Sequence, residues 1–282
     1  MLVDTVRTRV GSALFSRVAG PDGRANRARI HETPGPRWFA PDSPVRTVHG
    51  DASMFIGGIA ALLLQSLHPL AMAAVAGHSG YKGDPWGRLQ RTSTFLATTT
   101  FGTGEHAQQA VDEVRAVHAR IRGTAPDGRA YRADDPHLLT WVHTAEAYCF
   151  LGAHQRFGAH PLDAAGCDRY VADVARVARA LGTDDVPADV SSLRDRLNTY
   201  RPELRTTPAA REAARFLLLT PPLPWAVRPA YGVLAANAVG LLPPWARRAL
   251  MLPHVPVVED TLVRLGGHGM TRAIRWAMRP PA

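Results

Sequence analysis

With 282 residues and a formal net charge of +9, the chain is long enough to bury an ordinary core and basic enough to favour anionic partners. Apolar residues make up 46% and charged ones 20%, which excludes a chain disordered throughout. Lys82 is the only lysine; the arginines are spread along the sequence, so a nucleic-acid binder with one basic groove-reading face is not expected.

Residues 3–18 place Val3, Val6, Val10, Leu14 and Val18 at helical spacing, which predicts an amphipathic N-terminal helix. From Pro21 to Pro44 the prolines at 34, 36, 41 and 44 forbid a continuous helix, and the stretch reads as an ordered connector. Residues 1–46 are thus expected to pack as an arm and connector on a helical body formed by 47–282. No apolar signal core follows the start of the chain, so the expected location is the cytoplasm. Cys149 and Cys167 support neither a thiolate metal site nor a disulfide framework.

Phe55 to Ala76 is apolar enough to span a bilayer by length. Gly57, Gly58, Gln65, Ser66, His68 and Pro69 interrupt it, and polar groups inside a membrane are expensive. Two buried helices broken at His68-Pro69 are expected instead, with Pro69 at the first helical position, where its missing N–H costs little. No span is expected, and peripheral contact with a membrane is left open.

Asp84 before Pro85 reads as an N-cap. The helix it starts carries Arg88, Arg91 and Thr92 at i, i+3 and i+4, on one face. A further helix over 105–122 has a stripe of Ala107, Ala110, Val111, Val114, Val117, His118 and Ile121. Residues 123–135 read as a loop. A helix from His137 to about Gly152 is expected to bury Leu138, Trp141, Val142, Ala145, Tyr148 and Cys149, with His143 and Glu146 on the neighbouring face. Helices follow at 162–181, 189–200, 208–219, 223–240, 243–252 and 255–277. No segment alternates with period two, and the fold class is all-α, about ten helices in one domain.

His118 is the sharpest chemical signal. A histidine in a dry stripe is ordinarily satisfied by a backbone carbonyl, but Arg115 and Arg122 bracket this one. An axial imidazole, an apolar slot and arginines that pair with propionates are what a haem asks of a protein. A non-haem iron or zinc site using His68, His118 and His143 would have to recruit Glu105, Glu113 or Glu146, none at a convincing spacing. Cys-x-x-Cys-His, His-Glu-x-x-His and Gly-x-Gly-x-x-Gly are all missing from the sequence.

Five stretches occur in order: Gln65-Ser-Leu-His-Pro69, Gly87-Arg-Leu-Gln-Arg-Thr92, Val114-Arg-Ala-Val-His-Ala-Arg-Ile-Arg-Gly123, Tyr131-Arg-Ala-Asp-Asp-Pro136 and Leu139-Thr-Trp-Val-His143. Together they resemble the motifs of the family that contains the latex-clearing rubber oxygenases and the mycophenolic-acid pathway oxygenase, over roughly residues 45–270. The resemblance implies an all-helical haem b protein that uses dioxygen, in the rubber enzymes to cleave a carbon–carbon double bond. It implies His118 as proximal iron ligand and places Arg88 and Thr92 in the haem pocket; Arg115 and Arg122, from their spacing around His118, and His143, as the next candidate ligand, complete the cofactor-binding set. Arg91, Thr92 and His68 would be the catalytic group. Arg91 falls where the rubber enzymes carry a lysine that ligates the iron, and a guanidinium has no lone pair for that. The distal glutamate of those enzymes has no counterpart between Gln65 and Gly77. These departures favour an open distal side and a small apolar metabolite as substrate, held in an apolar pocket from Phe55 to Val75. A haem-binding sensor or carrier without turnover is the alternative.

Overall fold

The structure, a computed structural model, describes residues 2–80 and 83–279; Lys82 lies outside them. Helix starts follow the capping chemistry of the sequence. Helix α1 (Leu2–Ala19) is followed by α2 (Gly23–Glu32), α3 (Pro44–His49), α4 (Met54–Gln65), α5 (Pro69–His78), α6 (Pro85–Phe101) and α7 (Gly104–His118). Asp84 accepts the Gly87 N–H at the start of α6, and Thr103 accepts the His106 N–H at the start of α7. Pro44, Pro69 and Pro85 each stand in the first turn of their helices.

After a hairpin come α8 (Pro136–Phe157), α9 (Ala164–Leu181), α10 (Val190–Tyr200), α11 (Pro208–Leu218), α12 (Arg228–Leu241) and α13 (Pro244–Ala249). The last helical run is α14 (Pro256–Val258), a π-helical turn (Glu259–Val263) and α15 (Arg264–Met278), continuous from 256 to 278. The architecture is all-α apart from one small sheet.

Two expectations need correction. The connector contains α2, because Pro34, Pro36, Pro41 and Pro44 all fall after Glu32 and Pro21 precedes the helix start at Gly23. The helix expected over 105–122 ends at His118, and Arg122–Thr124 (β1) pairs antiparallel with Ala130–Arg132 (β2). Each strand has three residues, too few for period-two alternation to register in the sequence. Within the apolar run Ile56, Leu63, Leu64 and Leu67 are fully buried in the core.

Helices α4 and α8 form the most extensive helix pair. Gly57 makes it close: a Cβ there would lie 3.1 Å from both Ala153 Cβ and Phe150 Cδ1. Trp141, fully buried on α8, donates from Nε1 to the Gln65 carbonyl at 3.0 Å, in the last turn of α4, where that carbonyl also accepts the His68 N–H at 3.3 Å. The chain then bends by 108° between α4 and α5. No single helix among the described residues is long and apolar enough to cross a membrane, and the bent pair α4 and α5 meets that test only jointly.

Outlying segments are tied down by arginine. Arg37 donates to the carbonyls of Ile30, Phe101 and Thr33, pinning the connector to the end of α6. Arg275 on α15 grips Asp51 with two hydrogen bonds of 2.7 and 2.9 Å. Burial works to raise the Asp51 carboxyl, but Arg275 and Ser53 outweigh it and hold the group at about 2.

The two adjacent glycines of α4 should therefore behave oppositely. Gly57→Val forces α4 and α8 apart and is expected to cost about 2–4 kcal/mol. Gly58 has nothing within 4 Å of a built Cβ, so Gly58→Ala should be neutral or stabilise by up to about 1 kcal/mol through helix propensity. Urea denaturation of both variants checks this, and equal effects would contradict the packing described.

Candidate functional site

Helix α8 runs under the site. Its N-terminal turn is fixed against the end of α9 by a hydrogen bond between the Thr140 and Thr183 hydroxyls. Helix α9 itself stops because Gly182 takes the left-handed conformation at φ 111°, which side chains disfavour. That glycine, with Leu181, forms one wall of a cleft of about 200 Å³; Arg115, His118, Ala119 and Asp134 form the other.

His118 is half-buried in the last turn of α7. Its ring makes no hydrogen bond among the described residues. Burial lowers its pKa and the nearby Asp134 carboxylate only partly opposes this, so the imidazole is neutral at physiological pH. His143 lies one turn beyond Thr140 on α8, near Arg179 of the same α9 end. Its Nε2 is buried without a partner, and burial reinforced by Arg179 pushes its pKa down to about 4. Two neutral imidazoles with unpaired nitrogens thus flank the last turn of α9. A buried polar atom left unpaired costs roughly 1–3 kcal/mol, and a neutral imidazole is the form that ligates a metal.

Glu146, one turn after His143, is the group that sequence reasoning undervalued. Burial raises its carboxyl to about 7, with the Arg88 guanidinium opposing. It has no hydrogen-bond partner among the described residues, yet it keeps some accessible surface. An acid that is desolvated yet keeps accessible surface is a candidate proton-holding group. Arg88, half-buried on α6, donates from Nη1 to Ser79 Oγ at 2.6 Å and so ties α6 to the end of α5.

The other candidates are placed differently. Arg91 and Thr92 are exposed, and Arg91 pairs with Asp84 at 3.3 Å, the N-cap of its own helix. Arg115 lines the His118 cleft while donating to the Ala180 carbonyl at 3.2 Å. Arg122 is on β1 and folds back onto the Ala119 carbonyl. Arginines 115 and 122 therefore do not bracket His118 on one helix, because α7 has ended before 122.

His68 is fully buried in another cluster. Its Nδ1 accepts the Ala71 N–H at 3.4 Å as N-cap of α5, and its Nε2 lies 3.3 Å from Glu203 Oε2. His137 Nε2 contacts both Glu203 oxygens at 3.0 and 2.9 Å, and Tyr200 donates to the His137 carbonyl at 2.7 Å. Three donor atoms within 4.8 Å of one another give this set the composition of a two-histidine, one-carboxylate metal site. The tautomer assigns it another task. With Nδ1 accepting, a neutral His68 carries its proton on Nε2, aimed at Glu203, and a protonated nitrogen cannot ligate. The positive ends of α5 and α8 also converge here and favour an anion over a cation. Glu203 is best read as a carboxylate staple across two helix starts.

Residues 46–277 match the family model described as ER-bound oxygenase mpaB/B'/Rubber oxygenase, catalytic domain. The match covers most of the sequence, and the chain belongs to this family of oxygenase catalytic domains. No curated protein and no solved structure gives a significant match.

Two substitutions test the electrostatics. Burial works to raise the Glu203 carboxyl, but His137 and His68 hold it below its ordinary value, so its contribution is present at neutral pH and lost as pH falls through that lowered pKa. Glu203→Gln should lower Tm at pH 7 by roughly 2–4 °C, with the gap to wild type closing in acid; an unchanged Tm at pH 7 would refute the staple. Glu146 has the opposite sign. Its pKa is raised from 4.5 to about 7, so the unfolded chain ionises first and stability falls as pH climbs through that window. Glu146→Gln should stabilise the protein at pH 8 by roughly 1–3 kcal/mol and do little at pH 4, as thermal melts across pH can show.

Proposed function

We propose that this oxygenase-family chain is a haem b-dependent oxygenase, with His118 as the residue that would hold the iron. The observation that carries the reading is the half-buried, neutral and unpartnered imidazole of His118 beside a cleft that also holds Arg115. The donor set fits the group: an imidazole without a competing hydrogen bond, apolar Leu181 and Ala119, and a guanidinium able to pair with a propionate. At about 200 Å³ the cleft is smaller than a usual cofactor pocket, so the chemistry of the donors rather than volume supports this reading.

A bound haem would supply the redox chemistry with dioxygen. The chain's own residues would do the rest. Arg115 would orient the macrocycle through a propionate, and Arg88, held by Ser79, would supply a second fixed cation. His143 would offer a neutral, unpaired Nε2 from α8. Glu146, with its carboxyl raised to about 7, would hold or accept a proton at its carboxyl oxygens. It thus offers from α8 the carboxyl that the stretch from Gln65 to Gly77 lacks. In this reading the substrate is small and apolar, and oxidative cleavage of a carbon–carbon double bond is the finer form of the reaction. Arg91 and Thr92, exposed on α6, would act only on groups that reach that outer face, and His68 would act through helix positioning.

The protein purified from cells supplied with haem precursor should carry about one haem b per chain, seen as a Soret band and a pyridine haemochrome. His118→Ala should lose most of it, and Arg88→Ala should release haem faster than Arg91→Ala. Undiminished haem in His118→Ala together with loss in His143→Ala would move the ligand to α8. No haem in any preparation would reject the reading.

A further inference from the structure

The run from Pro256 to Met278 is helical without interruption, about 34 Å long at 1.5 Å per residue. It has two faces. Val263, Gly267, Thr271, Ile274 and Ala277 point into the protein, where the Val263 carbonyl accepts Asn237 Nδ2 of α12 at 2.9 Å and Gly267 packs against Asn237 and Phe157. The opposite positions 258, 262, 265, 269, 272 and 276 are all exposed. Four of the six are large and apolar: Val258, Leu262, Leu265 and Trp276, with Leu262 72% and Leu265 68% accessible. Val255 and Val257, also exposed, extend the apolar surface at the N-terminal end. A monomer surface seldom carries this many large apolar side chains on one helix without a use for them.

Charge on the same helix narrows that use. From Pro256 to Met278 it holds three arginines, at 264, 272 and 275, the last engaged by Asp51, and two carboxylates. Both carboxylates are neutralised by the body of the protein, Glu259 by Arg247 at 2.5 Å and Asp260 by Arg156 at 2.9 Å. Arg264 and Arg272, beside and within the exposed stripe, make no ion pair among the described residues. A second copy of the same face would oppose arginine to arginine. An anionic lipid surface instead accepts the guanidiniums at the headgroups while leucine, valine and tryptophan enter the acyl boundary.

We propose that the outer face of the Pro256–Met278 helix docks on an anionic lipid bilayer, with Leu262 and Leu265 inserted and Arg264 and Arg272 at the phosphates. The test is co-sedimentation of the full chain with vesicles of equimolar phosphatidylcholine and phosphatidylglycerol, against vesicles of phosphatidylcholine alone. Wild type should pellet with the anionic vesicles and far less with the neutral ones. Leu262→Asp combined with Leu265→Asp should weaken binding by about tenfold or more, and Arg264→Gln with Arg272→Gln should weaken it several-fold and reduce its salt dependence. Thermal melts check folding, which these exposed positions should not disturb. Absence of wild-type binding, equal binding to neutral vesicles, or binding untouched by either pair would overturn the proposal. A wild-type dimer in solution that becomes monomeric in the double aspartate variant would assign the face to a second copy instead.

Discussion

The packing of α4 on α8 is the constraint from which the remaining arrangement follows. A helix as apolar as α4 must be covered on nearly every side, and Gly57 lets α8 approach it closely enough for Phe150 and Ala153 to fill the gap. That fixes the rotation of α8 about its axis. Trp141 then donates to the Gln65 carbonyl at the end of α4, and His143 and Glu146 come to lie near Arg179 of α9 and Arg88 of α6. The residues that carry chemistry are thus oriented by residues that carry none.

Burial does most of the electrostatic work. At His118, His143 and Glu146 the largest cause of the shift is desolvation; it leaves both imidazoles neutral at physiological pH and brings the Glu146 carboxyl to titrate at about 7. A neutral imidazole is ready to ligate, and a carboxyl that titrates at about 7 is able to give or take a proton. At Asp51 and Glu203 burial acts in the same direction but loses, because Arg275 in one case and two histidines in the other supply hydrogen bonds to the ionised form. The same fold therefore uses carboxylates in two ways: paired ones join distant segments, while the unpaired Glu146 is kept for proton chemistry in the function proposed above.

Local signals in the sequence accounted for much of the helix plan. Pro69 and Pro85 in first turns, Asp84 and Thr103 as caps and Gly182 at the end of α9 are decided by the chemistry of a few adjacent residues. The break at His68-Pro69 was legible for that reason, as was the burial of Trp141 and Cys149 on one face of α8. Missed elements lacked such signals. Helix α2 is strongly polar, with only Gly23 and Ile30 buried, and the strands β1 and β2 are stabilised by each other rather than by their own pattern.

What the sequence determined by itself is whatever depends on neighbours along the chain: the all-α class, the helix ends and the order of motifs by which the family is identified. What only the tertiary structure decided is which distant charges meet. Glu203 reaches His68 across 135 positions and His137 across 66, and no spacing rule connects them. Arg91, expected beside Arg88 at the site, pairs with Asp84 on the surface, while Arg88 turns to Ser79. Helical spacing gives the angle between side chains, but which side is buried depends on the helices packed against it, and those come from elsewhere in the chain.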